Sequence, residues 1–193
     1  MSMVARKFTH VTANDYLLKE KVGVVRHEYV NGAVYAMSGA SAAHNLIRGN
    51  ASAYLLTSVS DPCFVFSAEM KLQVKTNEEE RYYYPDIFVS CDPADNESYG
   101  TAVLVIEVLS PTTERIDRTE KFEAYTRKPD LLEYGLLSQD AMELELFRRR
   151  NKWQRELFLG DDIVTFESIN VTTNVSRFYR RVFIADVSGT TTI

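Results

Sequence analysis

The chain is poor in cysteine, in positive charge and in long apolar runs, and each shortage excludes something. Its two cysteines, Cys63 and Cys91, are isolated and show no CxxC spacing. That argues against a disulfide framework or a cysteine-rich zinc module, and buried free thiols beside apolar neighbours are expected instead. No apolar stretch approaches the ~20 residues of a membrane span, and the N-terminus lacks the basic-then-apolar signal pattern. The expectation is a cytoplasmic protein without a membrane partner. A net charge of -5 is unlike a dedicated nucleic-acid binder, which draws much of its affinity from phosphate neutralisation. Local basic groups do occur, Arg148-Arg149-Arg150-Asn151-Lys152 and Arg177 with Arg180-Arg181, and read as solvated faces.

What is present suits one globular domain over residues 1–193, with 188–193 as a disordered tail. The hydrophobic fraction of 45% and charged fraction of 25% are ordinary for such a domain. No internal repeat or linker interrupts it. Thr12-Ala13-Asn14-Asp15 has capping-box form and predicts a helix over 13–21. Asn31-Gly32 is a strong hairpin signal, because a type I′ turn needs positive φ at both central residues. A two-residue loop there sets Val30 opposite Ala33 and Glu28 opposite Tyr35. A helix should follow from Ser41 or Ala42 to about Thr57, ended by Asp61-Pro62. Strands are predicted over 63–74, 82–90 and 102–109, with a polar loop at 92–101. Asp117-Arg118-Thr119-Glu120 is a second capping-box pattern with Asp117 as N-cap, predicting a helix over 118–127 stopped by Pro129. Strands at 131–138, 142–146 and 153–159 would form a meander. The segment 163–169 leads to a short terminal helix bearing Val175, Phe178, Tyr179 and Val182.

The most informative residue is Glu107, a lone carboxylate inside the apolar run from Val103 to Leu109. That run reads as a central strand buried on both faces. An ionised acid there costs several kcal/mol unless it is compensated, ~3–5 if one partner of a buried pair is missing. Asp86 stands similarly, just ahead of the apolar core of the preceding strand. Two acids on neighbouring strands could share one divalent cation, since Mg²⁺ and Mn²⁺ prefer hard oxygen ligands and fill their other positions with water and phosphate. Glu28 is a third donor if its hairpin packs alongside.

Several motifs now follow in one order. They are His27-Glu28-Tyr29-Val30-Asn31-Gly32, Tyr84-Pro85-Asp86, Ile106-Glu107-Val108-Leu109-Ser110-Pro111, then Asp117-Arg118-x-Glu120-Lys121-Phe122-x-x-Tyr125 and Glu133-Tyr134. Over residues 10 to 185 this resembles the large bacterial family of restriction endonucleases within the PD-(D/E)xK nuclease superfamily. The resemblance implies an α/β fold with a restriction-endonuclease-like αβββαβ core, a mixed central sheet flanked by helices. To it are added an N-terminal β-hairpin and a C-terminal antiparallel meander. It also implies a Mg²⁺- or Mn²⁺-dependent site, DNA as substrate, a homodimer and no organic cofactor. One departure stands out: the superfamily has lysine two residues after the acid, and this chain has Leu109. Lys121, on the following helix, is the preferred substitute, and Lys71, on the strand before Asp86, is the second choice.

The expected site therefore has Asp86 and Glu107 on the metal, Glu28 assisting, and Lys121 positioning the nucleophile. Plainer roles compete for the same residues. Glu107 could pair with Lys121 or Arg118 without metal, Asp86 could cap a turn, and Glu28 could make a hairpin ion pair. His44 could cap or pack rather than act as a base. Tyr125 is read as packing that directs Lys121, and Tyr82, Tyr83 and Tyr84 as strand residues rather than base-stacking rings. A catalytically silent DNA-binding or interaction module on the same fold is the main alternative, and a metal-dependent hydrolase of other substrates the third.

Overall fold

The computed structural model describes residues 10–37, 39–76, 79–92, 98–185 and 191–192. Helix α1 (Ala13–Val22) is capped by Thr12, whose hydroxyl accepts from the Asp15 amide. Strands β1 (His27–Val30) and β2 (Ala33–Ala36) pair through the Asn31-Gly32 turn, with φ of 47° and 96° at its centre. The register is the expected one, Val30 opposite Ala33 and Glu28 opposite Tyr35. Helix α2 (Ala42–Ser58) starts at the Ser41 cap. Then come β3 (Phe64–Ser67), β4 (Lys71–Lys75), β5 (Glu80–Tyr83), β6 (Ile87–Ser90), β7 (Ser98–Tyr99) and β8 (Leu104–Val108). Helical residues run through α3 (Glu114–Ile116), a π-helical stretch at Asp117–Lys121, and α4 (Phe122–Thr126). The chain continues with β9 (Glu133–Leu137), β10 (Glu143–Arg148), β11 (Arg155–Leu159), β12 (Ile163–Phe166) and β13 (Val171–Asn174). It closes with β14 (Ile184–Ala185) and β15 (Thr191–Thr192).

Two sheets carry the site. One is ordered β2-β1-β5-β4-β7, the other β11-β10-β9-β8-β6-β3. The second is mixed: β8 and β9 run parallel, connected through the helical segment, and its other neighbours are antiparallel. Side chains of β8 alternate across this sheet. Leu104, Ile106 and Val108 join one core with Ile47, Ala51 and Leu55 of α2. Val105 faces the opposite core, with Tyr83, Tyr125 and Tyr134. Period-two alternation puts Glu107 on that second face, toward the helix bearing Lys121.

The sequence reading treats 63–74 and 82–90 as two unbroken strands, and the structure divides each between the two sheets. Ser67 faces Ile87 while Leu72 faces Tyr83, so four residues intervene on one strand and three on the other. The extra residue is a bulge, taken up at Ala68 with φ of 53°. Pro85, which cannot donate to a ladder, sits at the matching break. This bend delivers Asp86 to the end of β6.

Other expectations need correction. Cys63 and Cys91 are not free thiols but a disulfide. Phe64 pairs with Ser90, so the two cysteines fall one register step further along the same antiparallel pair. A reducing cytoplasm would tend to keep such a bond open. The helix expected over 118–127 begins at Glu114, so Asp117 lies inside it rather than capping it. The terminal helix is 3-10, Val175–Tyr179, preceded by the hairpin β12–β13. Within the expected tail, Thr191–Thr192 pairs with Ile184–Ala185; residues 188–190 and 193 lie outside the described residues. Arg148 is buried, bonded to Glu133 and to the Thr165 carbonyl, rather than solvated. Arg149 donates to the Leu131 carbonyl and stacks over Trp153. Among the described residues, no helix is long and apolar enough to cross a membrane.

Candidate active site

The carboxylates singled out in the sequence meet in a cleft of about 710 Å³ between the two sheets and the helical segment. Ile87 pairs with Ile106, so Asp86 and Glu107 are opposite at the next antiparallel step. Backbone amides hold both acids. Asp86 N–H donates to Glu107 Oε2 (3.0 Å) and Val108 N–H donates to Asp86 Oδ2 (2.8 Å). Charge-assisted bonds of this kind fix orientation as well as charge. Glu107 Oε1 faces the helix, where it accepts from Lys121 Nζ (3.2 Å) and the Tyr125 hydroxyl (3.2 Å).

Lys121 is the centre of the cluster. Its ammonium also lies 3.1 Å from Glu28 Oε1 and 3.5 Å from Asp117 Oδ1, all of it nearly buried. Lys71 instead stands over the Tyr84 ring, 5.6 Å from its centroid, and takes no part in lining the cleft. Arg118, the alternative partner of Glu107, binds Glu114 and Glu145. His44 Nε2 lies 2.9 Å from Asp86 Oδ1, while its Nδ1 is buried without a hydrogen-bond partner among the described residues. One helical turn on, Arg48 comes within 3.9 Å of the same oxygen. Tyr82, Tyr83 and Tyr84 are buried packing residues, as read; the Tyr83 hydroxyl bonds Glu120 and that of Tyr84 bonds Glu20.

Electrostatics mark the cluster as short of positive charge. Burial pushes the Glu107 carboxyl up to about 8; Lys121 opposes the shift, while Asp117 and Asp86 add to it. Asp117 is raised too, chiefly by burial. Burial alone would lower Lys121, yet Glu107, Glu28 and Asp117 together hold it well above its ordinary value, so it stays charged. Three carboxylates, Glu28, Glu107 and Asp117, thus face one buried ammonium, with Asp86 beside Glu107 and Arg48 at the edge. A divalent cation fits this donor set: the oxygens are hard, they carry excess negative charge, and Asp117 Oδ1, buried 3.5 Å from the Lys121 ammonium, makes no well-formed hydrogen bond among the described residues. Among the described residues, no three His, Cys, Asp or Glu side chains form a ready-made cage. Magnesium does not need one, because it commonly keeps several waters and takes one or two carboxylates.

Sequence reasoning missed Asp117 and Arg48. Asp117 is four residues before Lys121 and Arg48 four after His44, so in each case helical spacing puts both on one face. The capping-box pattern concealed the first. The π-helical stretch was not foreseen; such bulges concentrate at functional sites, and this one carries Asp117 and Lys121 together.

Comparison with known proteins agrees with this architecture. The chain is 31% identical over 179 residues to the uncharacterized protein slr1290 of Synechocystis, covering 90% of this chain and 93% of the relative. It is likewise 31% identical over 168 residues to sll1609 of the same organism, covering 83% and 94%. The crystal structure of a putative nuclease belonging to DUF820 from Anabaena variabilis superposes with a TM-score of 0.65 at 17% identity, covering 82% of this chain and 92% of that one. At that identity the likeness speaks for the fold. Residues 15–175 match the Uma2 family model, described as putative restriction endonuclease. With its sheet topology and its paired acids on adjacent strands, the chain belongs to that family.

Proposed function

We propose that this protein is a Mg²⁺- or Mn²⁺-dependent DNA endonuclease, hydrolysing phosphodiester bonds in the cleft. The observation that carries the reading is the register pairing of Asp86 with Glu107, beside a buried lysine contributed by another element. Asp86 and Glu107 would hold the cation, with Glu28 and Asp117 within reach through water. When bound, the cation supplies Lewis-acid stabilisation of phosphate charge and a more acidic water. Lys121, tethered by three carboxylates, is positioned to orient the attacking water or neutralise developing charge. In this reading it takes the role that a lysine two residues beyond Glu107 has in the superfamily pattern, where this chain has Leu109. Tyr125 and the Asp86 amide fix the Glu107 carboxylate, and His44 fixes Asp86. A second copy of the chain, as a homodimer, completes the reading.

Plasmid nicking with Mn²⁺ tests it. Wild-type protein should convert supercoiled plasmid to nicked circles, and Asp86→Asn or Glu107→Gln should abolish this without loss of the folded state. No nicking, together with no calorimetric Mn²⁺ binding, would leave the silent module as the better account.

A further inference from the structure

Among the tyrosines whose side chains are described, Tyr35 is the exception. Tyr16, Tyr29, Tyr54, Tyr82, Tyr83, Tyr84, Tyr125, Tyr134 and Tyr179 each hydrogen-bond through the hydroxyl. Tyr35 has no such bond and no ring partner among the described residues, and is 54% exposed. Its place is not random. It sits on β2, the edge of its sheet, directly opposite Glu28, whose carboxylate touches Lys121. Cross-strand partners on one face lie about 5 Å apart, so the ring borders the acid cluster. Tyr35 and Met37 line one side of the cleft, and Arg115 and Arg48 also line it. Arg115 is exposed and makes no ion pair among the described residues.

From this arrangement we infer that Tyr35 is a stacking platform for an unpaired nucleobase beside the scissile phosphate, so that the substrate is a single strand or a duplex with an extruded nucleotide. The inference rests on the nuclease reading and narrows it. In an intact duplex a base offers only its edge in a groove, because its faces are covered by its neighbours. A ring can lie on a base only where that base is out of the stack. Stacking also explains how an acidic protein could hold nucleic acid, since aromatic–base contacts add affinity that does not depend on phosphate charge. Two arginines make few phosphate contacts, and at about −0.7 per contact for single strands the log affinity should fall with log salt at a slope of only about −1.4.

The test measures fluorescence anisotropy of one labelled sequence in EDTA, as single strand, as blunt duplex and as duplex with a one-nucleotide bulge, followed by cleavage of each with Mn²⁺. Wild-type protein should favour the single strand and the bulge. Tyr35→Ala should weaken both by about 5- to 150-fold, the range that loss of one stacked base gives, and leave the blunt duplex unchanged. Tyr35→Trp should restore the preference. Cleavage without preference for unpaired substrates, or equal weakening of all three by Tyr35→Ala, would overturn the inference while leaving the nuclease reading intact. So would sedimentation showing that Tyr35→Ala dissociates an oligomer, because the ring would then be a subunit contact. Failure of wild-type protein to bind or cleave any of the three would instead defeat the nuclease reading itself.

Discussion

Asp86 and Glu107 hold each other in place through the backbone: each carboxylate accepts an amide hydrogen from the other's strand, the Asp86 amide to Glu107 and the Val108 amide to Asp86. Two acids can then sit side by side, because one oxygen of each is satisfied by a fixed amide donor. The remaining oxygens are directed elsewhere. Glu107 Oε1 reaches Lys121 and Tyr125, and Asp86 Oδ1 reaches His44.

The raised Glu107 carboxyl predicts a pH dependence of stability in metal-free protein. Its ordinary value is 4.5 and its folded value about 8, so between the two the folded state holds a proton that the unfolded state has lost. Stability from this group is complete below the lower value and is lost as pH rises toward the upper. Asp117 acts in the same direction. The melting temperature in EDTA should therefore fall from pH 5.5 to 8.5, and Glu107→Gln should flatten the fall. A wild-type profile that is level over this range contradicts the assignment.

Lys121→Met removes the ammonium that Glu28, Glu107 and Asp117 share. Breaking a buried ion pair from one side costs about 3–5 kcal/mol, so urea unfolding should show a loss of that order, and plasmid nicking should cease. Lys71→Met removes an ammonium that stands over the Tyr84 ring, outside the lining of the cleft, and nicking should be retained. Reversal of these two results would move the functional lysine to position 71.

His44→Ala frees Asp86 Oδ1 from its ring partner. Loss of a group that orients a metal-binding carboxylate typically weakens metal affinity about 10- to 100-fold. Calorimetric titration with Mn²⁺ should show this loss, and His44→Gln, which keeps a donor near the Nε2 position, should recover part of it. Unchanged affinity in His44→Ala would make His44 a packing residue.

Arg148 and Glu133 form a second buried ion pair on β9 and β10. Glu133 also accepts the Glu167 and Ser168 amides, and so fastens the segment after β12. Arg148→Ala leaves that carboxylate buried without its ion-pair partner, at about 3–5 kcal/mol. Denaturant midpoints should drop accordingly while Mn²⁺ binding stays as in wild type. A parallel loss of metal affinity would mean that this pair and the cleft are coupled.

Much of the architecture was legible because local signals were strong. Asn31-Gly32 set the hairpin register, and through it placed Glu28 opposite Tyr35. The Thr12 capping box fixed one helix start, and the second was placed at Ser41 or Ala42, where the structure has Ser41 as the cap. Asp117 was misread for the same reason that Thr12 was read correctly: the capping pattern is local, and at 117 burial against Lys121 outweighed it. The strands at 63–74 and 82–90 looked continuous because β-propensity runs on across a bend that only the second sheet demands. The disulfide was invisible for a similar reason, since Cys63 and Cys91 become neighbours only when β3 pairs with β6.

The amino-acid order alone determined that Glu107 would be an acid within an apolar strand and Asp86 an acid at the start of the strand before it. Alternating hydrophobicity and the cost of burying charge are properties of the chain itself. Which cation answers those acids was decided only by folding. Lys121 and Lys71 are both plausible along the sequence, and the crossover from β8 through the π-helical stretch to β9 is what lays Lys121 over the sheet and leaves Lys71 against Tyr84. Distances between side chains on separate elements follow from how the layers pack, and no local pattern encodes them.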